Sequence, residues 1–102
     1  MRIALLGYGR MGKMIEQIAL KRGHEIVLIV DENNRTACSG DQLRKAEVAI
    51  DFSIPDVAVE NYKWCFDHGV PVVSGTTGWL DRWDEVIDYC HAKKGGFFYA
   101  SN

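Results

Sequence analysis

Gly7, Gly9 and Gly12 stand in the run Leu5-Leu6-Gly7-Tyr8-Gly9-Arg10-Met11-Gly12-Lys13, at the spacing that lets backbone amides close around a pyrophosphate. Gly7 permits a tight turn out of a strand, Gly9 lets the chain approach phosphate oxygens without a Cβ in the way, and Gly12 lets the next helix pack closely. The first turn of that helix then points its unpaired N–H groups at the anion. Asp31 follows the last glycine by 19 residues (31 − 12), near the separation of about 20 expected of an acid that accepts hydrogen bonds from an adenosine ribose. A carboxylate there repels a 2′-phosphate, so the reading is NADH preferred, with NADPH possible through Arg10 or Arg35.

A second polar cluster, Gly75-Thr76-Thr77-Gly78, offers two hydroxyls and open amides. It suits hydrogen bonding to a carboxamide, a ribose or a substrate carboxylate, and it equally suits a threonine cap on the following helix. Phe52 either belongs to the core or lies against a nicotinamide, and Trp64, Trp79 and Trp83 read as packing residues. Cys38, Cys65 and Cys90 form no Cys-x-x-Cys pair and read as free, structural thiols. His24, His68 and His91 fall near predicted helix ends, where an imidazole interacts well with the last carbonyls. No metal-ligand spacing is present, and no metal is expected.

The elements that position these groups alternate regularly. Ile3-Ala4-Leu5-Leu6 reads as a strand buried on both faces, and Met11, Met14, Ile15, Ile18 and Ala19 mark one face of a helix ending near Gly23. Ile26 to Val30 is a second strand, residues 32–42 a polar loop with a short helical turn, and Val48-Ala49-Ile50 a third strand. Pro55 opens a helix whose apolar face is Ala58, Tyr62, Cys65 and Phe66, and Val72-Val73 forms a fourth strand. Leu80, Trp83, Val86, Ile87 and Cys90 mark a last helix, and Phe97-Phe98-Tyr99 a fifth strand. This alternation predicts one α/β domain over residues 1–102, a Rossmann-like doubly wound parallel sheet of about five strands in the order 3-2-1-4-5, with helices on both faces. The strand ends carrying Gly7 to Gly12, Asp31, Asp51-Phe52-Ser53, Gly75 to Gly78 and Ala100-Ser101-Asn102 are expected to converge on one edge.

Composition narrows the partners. A net charge of −2 with scattered basic residues offers no field for nucleic acid or an anionic membrane, and no apolar run exceeds strand length. The chain enters its first strand at once with no signal segment, which reads as cytoplasmic. A stand-alone NADH-sensing module and the cofactor half of another amino acid or sugar dehydrogenase share the glycines and Asp31. The threonine loop counts against both.

Four motifs in order, Gly7-Tyr8-Gly9-Arg10-Met11-Gly12, Ile50-Asp51-Phe52-Ser53 with Pro55, Gly75-Thr76-Thr77-Gly78 and Tyr99-Ala100-Ser101-Asn102, resemble the dihydrodipicolinate reductase family across the whole chain. The resemblance implies hydride transfer from a reduced nicotinamide to hydroxy-tetrahydrodipicolinate, giving tetrahydrodipicolinate in lysine and diaminopimelate biosynthesis. It implies that Gly7, Tyr8, Gly9, Arg10, Met11 and Gly12 hold the pyrophosphate and Asp31 the ribose. Phe52 would border the nicotinamide and Ser53 belong to the cofactor site, Gly75, Thr76 and Thr77 would lie along the nicotinamide half, Thr77 would also reach the dicarboxylate substrate, and Ala100, Ser101 and Asn102 would complete the cofactor site. Members that accept NADPH well tend to carry basic residues where Glu32 and Ile54 stand here. The family places its acid-base histidine and lysine, its dicarboxylate-binding segment and its tetramer interface beyond the equivalent of Asn102. No catalytic residue is therefore expected within residues 1–102, and turnover is expected only of a homotetrameric full-length protein.

Overall fold

In a computed structural model that describes residues 1–100, five parallel strands alternate with helices. Strand β1 (Arg2–Leu6) leads through the glycine turn into α1 (Arg10–Lys21), and β2 (Glu25–Val30) follows. A 3₁₀ turn (Arg35–Ala37) and the single-turn α2 (Gly40–Leu43) then precede β3 (Val48–Asp51). Helix α3 (Pro55–Asp67), β4 (Val72–Ser74), a 3₁₀ turn (Leu80–Arg82), α4 (Trp83–Ala92) and β5 (Phe97–Tyr99) complete the sequence. Pro55 occupies the first turn of α3, where its missing N–H costs nothing, and Ser39 with Gln42 forms a capping box on α2.

The strand order is β2-β1-β3-β4-β5, not the expected 3-2-1-4-5. β3 pairs with β1, from Ile3 opposite Val48 to Leu6 opposite Asp51, on the flank away from β2. The link from β2 to β3 contains only a 3₁₀ turn and one turn of α-helix, and its apolar residues pack on the face opposite α1, which a right-handed connection reaches only by travelling back from β2 rather than outward. It passes back across β1 instead, with Leu43 and Ala46 buried beneath it. Because parallel crossovers are right-handed, reversing the direction of travel moves the connecting helices to the other face. The sheet is doubly wound as expected, but its direction switches between β1 and β3.

The two faces are covered unequally. On one, Ala58, Val59, Tyr62, Cys65 and Phe66 of α3 and Val86 and Cys90 of α4 close over Ala4, Leu6, Ala49 and Val72. Trp79 is also buried there, its ring edge-on to Tyr62 and stacked on Trp83. On the other, α1 sets Ile15 and Ala19 over Ile3 and Leu5. The face read from the sequence of α1 is rotated slightly: Gly12 and Ala19 are buried, whereas Met14 and Ile18 stand 48% and 46% exposed on its flank. His68 meets its capping expectation, its Nδ1 donating to the Trp64 carbonyl at 2.7 Å. His24 does not: its Nδ1 accepts from the Met1 ammonium at 3.2 Å.

Candidate functional site

Each strand end is tied to its neighbour by one hydrogen bond beyond the ladder. Gly7 N–H donates to the Val30 carbonyl (2.8 Å), Phe52 to Leu6 (2.9 Å), Gly75 to Asp51 (3.0 Å) and Ala100 to Ser74 (3.1 Å). These bonds draw the predicted loops onto one edge, at the end where ligands bind in open α/β sheets. There a cavity of about 470 Å³ opens, walled by Gly7, Tyr8 and Gly9, by Val30 to Asn33 and Arg35, and by Phe52, Ser53, Ile54, Val57 and Asn61.

The three glycines answer to different constraints. Gly7 has φ +97°, and a Cβ there would collide with the Phe52 carbonyl. At Gly12 a Cβ would strike the Gly7 carbonyl, so the helix lies directly against the turn. At Gly9, by contrast, a Cβ would meet nothing within 4 Å, which leaves open space in front of the turn. Gly9 is also the N-cap of α1 and supplies no side-chain cap. The first N–H groups of α1 are thus left for an external acceptor. Tyr8 donates its hydroxyl to Glu16 at 2.5 Å, which fixes its ring beside the turn and raises its pKa.

Asp31 Oδ1 accepts from the N–H groups of Asn33 (2.8 Å) and Asn34 (3.0 Å), while Asn34 Oδ1 accepts from Asp31 N–H at 2.8 Å. This local turn holds the carboxylate at the cavity wall. Its Oδ2 makes no hydrogen bond among the described residues, so an acceptor remains for a ribose hydroxyl.

Asp51, at the carboxyl end of β3, is fully buried. Its Oδ1 accepts from Ser53 N–H (3.1 Å), Ser53 Oγ (2.8 Å) and Thr76 Oγ1 (2.6 Å), and its Oδ2 from Asn61 Nδ2 (3.1 Å). Burial pushes its pKa up, against the pull of those hydrogen bonds. The carboxylate therefore acts as a knot joining the loop after β3 to the loop after β4 and to α3. Its four bonds were not anticipated, although a charged residue closing a buried strand was a visible cue. Asn61 was missed as well; it is the polar residue embedded in the otherwise apolar face of α3.

The structure brings Gly7, Tyr8, Gly9, Asp31, Phe52 and Ser53 together around the cavity. Arg10 is exposed and Met11 half-exposed at the start of α1, and Gly12 lies behind the turn; none of the three lines the cavity. Gly75 is pressed under the Phe52 ring, where a Cβ could not fit. Thr76 is buried, its hydroxyl turned inward to Asp51 while accepting from Ser53 N–H at 2.9 Å. Neither Thr76 nor Thr77 caps a helix, since the N-caps of the following 3₁₀ turn and of α4 are Trp79 and Arg82 without side-chain caps. Thr77 is exposed, as is Ala100 at the end of β5. Ser101 and Asn102 lie outside the described residues.

A parallel sheet whose winding reverses at a glycine turn, with an acid at the end of the second strand, defines the class: a Rossmann-like domain of the dehydrogenase type. The solved structures agree on this fold. A dipicolinate-bound dihydrodipicolinate reductase from Paenisporosarcina sp. TG-14 superposes with a TM-score of 0.77 at 20% identity, over 97% of this chain and 46% of that one. A hyperthermophilic archaeal homoserine dehydrogenase mutant in complex with NADPH superposes with a TM-score of 0.70 at 19% identity, over 96% and 43%.

The chain belongs to the dihydrodipicolinate reductase family, whose model "Dihydrodipicolinate reductase, N-terminus" matches residues 1–102. The 4-hydroxy-tetrahydrodipicolinate reductase of Christiangramia forsetii is 48% identical over 102 residues, which is 100% of this chain and 42% of that protein. That of Staphylococcus carnosus is 33% identical over 107 residues, covering 99% and 43%. The chain thus spans less than half the length of these relatives. Among the described residues, no helix is long and apolar enough to cross a membrane.

Proposed function

We propose that this chain holds the pyridine nucleotide of a reductase that converts hydroxy-tetrahydrodipicolinate to tetrahydrodipicolinate in lysine and diaminopimelate biosynthesis. The observation that carries the reading is the cavity itself, where an open glycine turn, an acid with a free oxygen and the loop after β3 share one wall. The family membership supplies the reaction class. The reduced nicotinamide supplies the hydride; the protein contributes binding, orientation and exclusion of water.

In this reading the amides of Gly7 to Gly12, with Arg10 and Met11 at the helix start, receive the pyrophosphate. Asp31 takes the adenosine ribose and favours NADH. Phe52 and Ser53 border the nicotinamide half, and Gly75 and Thr76 support that wall from behind. Thr77, exposed after β4, reaches the dicarboxylate, while Ala100, Ser101 and Asn102 complete the cofactor site. The acid-base residues come from the remainder of a full-length cytoplasmic homotetramer, so residues 1–102 alone do not turn over substrate.

Calorimetric titration with NADH and NADPH tests this directly, and the expected result is binding of both with NADH tighter. Asp31→Ala should weaken NADH more than NADPH, by about tenfold for a lost charge-assisted hydrogen bond. Equal losses for the two nucleotides would remove the ribose role, and no binding to a folded sample would remove the cofactor reading.

A further inference from the structure

Asp51 is the one carboxylate buried among the described residues, and no ammonium or guanidinium pairs with it there. Its partners, Ser53 N–H, Ser53 Oγ, Thr76 Oγ1 and Asn61 Nδ2, are all neutral donors, the complement of an ionised carboxylate. Its link to a cation runs through buried Asn61, whose Oδ1 accepts from Arg35 Nε at 3.2 Å. Arg35 is in turn stacked on Trp64, with its guanidinium carbon 3.9 Å from the ring centre.

These hydrogen bonds do not themselves require a charge at position 51. With an amide at 51 and a carboxylate at 61, the same network would form: the amide oxygen would accept from Ser53 and Thr76, its nitrogen would donate to the carboxylate, and the other carboxylate oxygen would accept from Arg35 Nε. The charge would then lie against the guanidinium. Here it is buried with an amide between it and that cation, which is the costlier arrangement. What distinguishes the present arrangement is where the charge sits. Asp51 immediately precedes Phe52 and Ser53, which wall the cavity, and its Oδ1 holds Ser53 together with Thr76 of the loop after β4. On the proposed function, that wall borders the nicotinamide half and the carboxylate stands one layer behind it.

We infer that the Asp51 carboxylate discriminates between the oxidation states of the bound nucleotide, its buried charge favouring the cationic ring of NAD+ over the neutral ring of NADH. The inference rests on the proposal that the cavity holds a pyridine nucleotide with its nicotinamide beside Phe52 and Ser53. When a dihydronicotinamide gives up hydride, one C–H bond breaks, both of its electrons leave with the hydrogen to the substrate carbon, and the ring is left as a cation. A fixed negative charge behind the ring lowers the energy of that cation and of the transition state in which its charge develops. At an effective dielectric of about 20, one charge acting across about 10 Å gives a preference of about tenfold. Asp51 touches neither ring nor substrate, so it is a specificity-determining group and not a catalytic residue.

The test is calorimetric titration of the full-length protein with NAD+ and with NADH, in the parent, in Asp51→Asn, in Thr76→Val and in the double exchange of Asp51→Asn with Asn61→Asp. The ratio of the two dissociation constants is the readout, because a merely structural role weakens both nucleotides together. Asp51→Asn should weaken NAD+ about tenfold relative to NADH. The double exchange repairs the hydrogen bond that the single variant loses between positions 51 and 61, and it should show the same shift, since its charge now lies against Arg35. Either of these variants decides the matter if the other fails to fold. Thr76→Val loosens the same loops but keeps the carboxylate, so its ratio should stay within about threefold of the parent's. Equal losses for NAD+ and NADH in Asp51→Asn, a parental ratio in the double exchange, or a Thr76→Val ratio shifted as far as that of Asp51→Asn would overturn the inference and leave the cofactor reading intact. A parent protein that binds neither nucleotide would sink both.

Discussion

At the residue scale, the glycine turn shows how one residue type serves two incompatible demands. Gly7 and Gly12 are glycine because the protein itself fills the space where a side chain would go, whereas Gly9 is glycine facing emptiness. The distinction predicts opposite phenotypes. Gly7→Ala combines a disfavoured φ with a backbone collision and should cost about 1–3 kcal/mol or more, read by urea unfolding. Gly9→Val should leave the unfolding midpoint within error yet reduce nucleotide affinity at least about tenfold, since its branched side chain would occupy the phosphate's approach. A Gly9→Val protein that binds normally would remove the pyrophosphate assignment. These glycines were legible in the sequence because type and spacing alone carry the information. Thr76 was not: its hydroxyl turns inward only because β3 and β4 are neighbours, which brings Asp51 opposite Ser74 and within reach of the next loop.

At the element scale, α3 and α4 cover the same sheet face and are clasped on their outer side. Lys63 and Glu60 of α3 meet Glu85 of α4 and Arg82 just before it, with Glu85 accepting from Arg82 Nη2 at 2.7 Å and from Lys63. Arg82, and after it Lys63, hold the Glu85 carboxyl down to about 2 from its ordinary 4.5. A pKa depressed by folding contributes stability above the unfolded value and loses it as pH falls through the folded one. Glu85→Gln should therefore lower Tm modestly at pH 7, with the gap to the parent closing between about pH 4.5 and about pH 2. A gap independent of pH would mean that packing, not charge, holds the two helices together. The long elements of this region were readable from apolar spacing and from Pro55. The clasp was not, because i to i+22 partners leave no periodic trace.

At the scale of the whole molecule, the alternation of strands and helices was enough to predict a doubly wound sheet, but not the order of its strands. Local pattern is blind to which flank of β1 a strand joins, and that choice goes with the face on which the β2-to-β3 link packs, where Leu43 and Ala46 join the cluster opposite α1. The switch it creates beside β1 is what opens the cavity. A ligand that binds only the folded chain must stabilise it, so NADH at a hundredfold excess over its Kd should raise the unfolding free energy by about 2.7 kcal/mol. Urea unfolding with and without nucleotide measures this, and coincident curves would contradict binding to the native state. The stacking of Arg35 on Trp64 also has an optical side. Trp79 is buried and Trp83, itself exposed, stacks on it, while Trp64 carries a cavity residue on its face. On the proposed function, a nucleotide in the cavity would change the surroundings of that indole through Arg35, and a reduced nicotinamide absorbs where indole emits. Tryptophan emission would then report occupancy of the cavity without any added label.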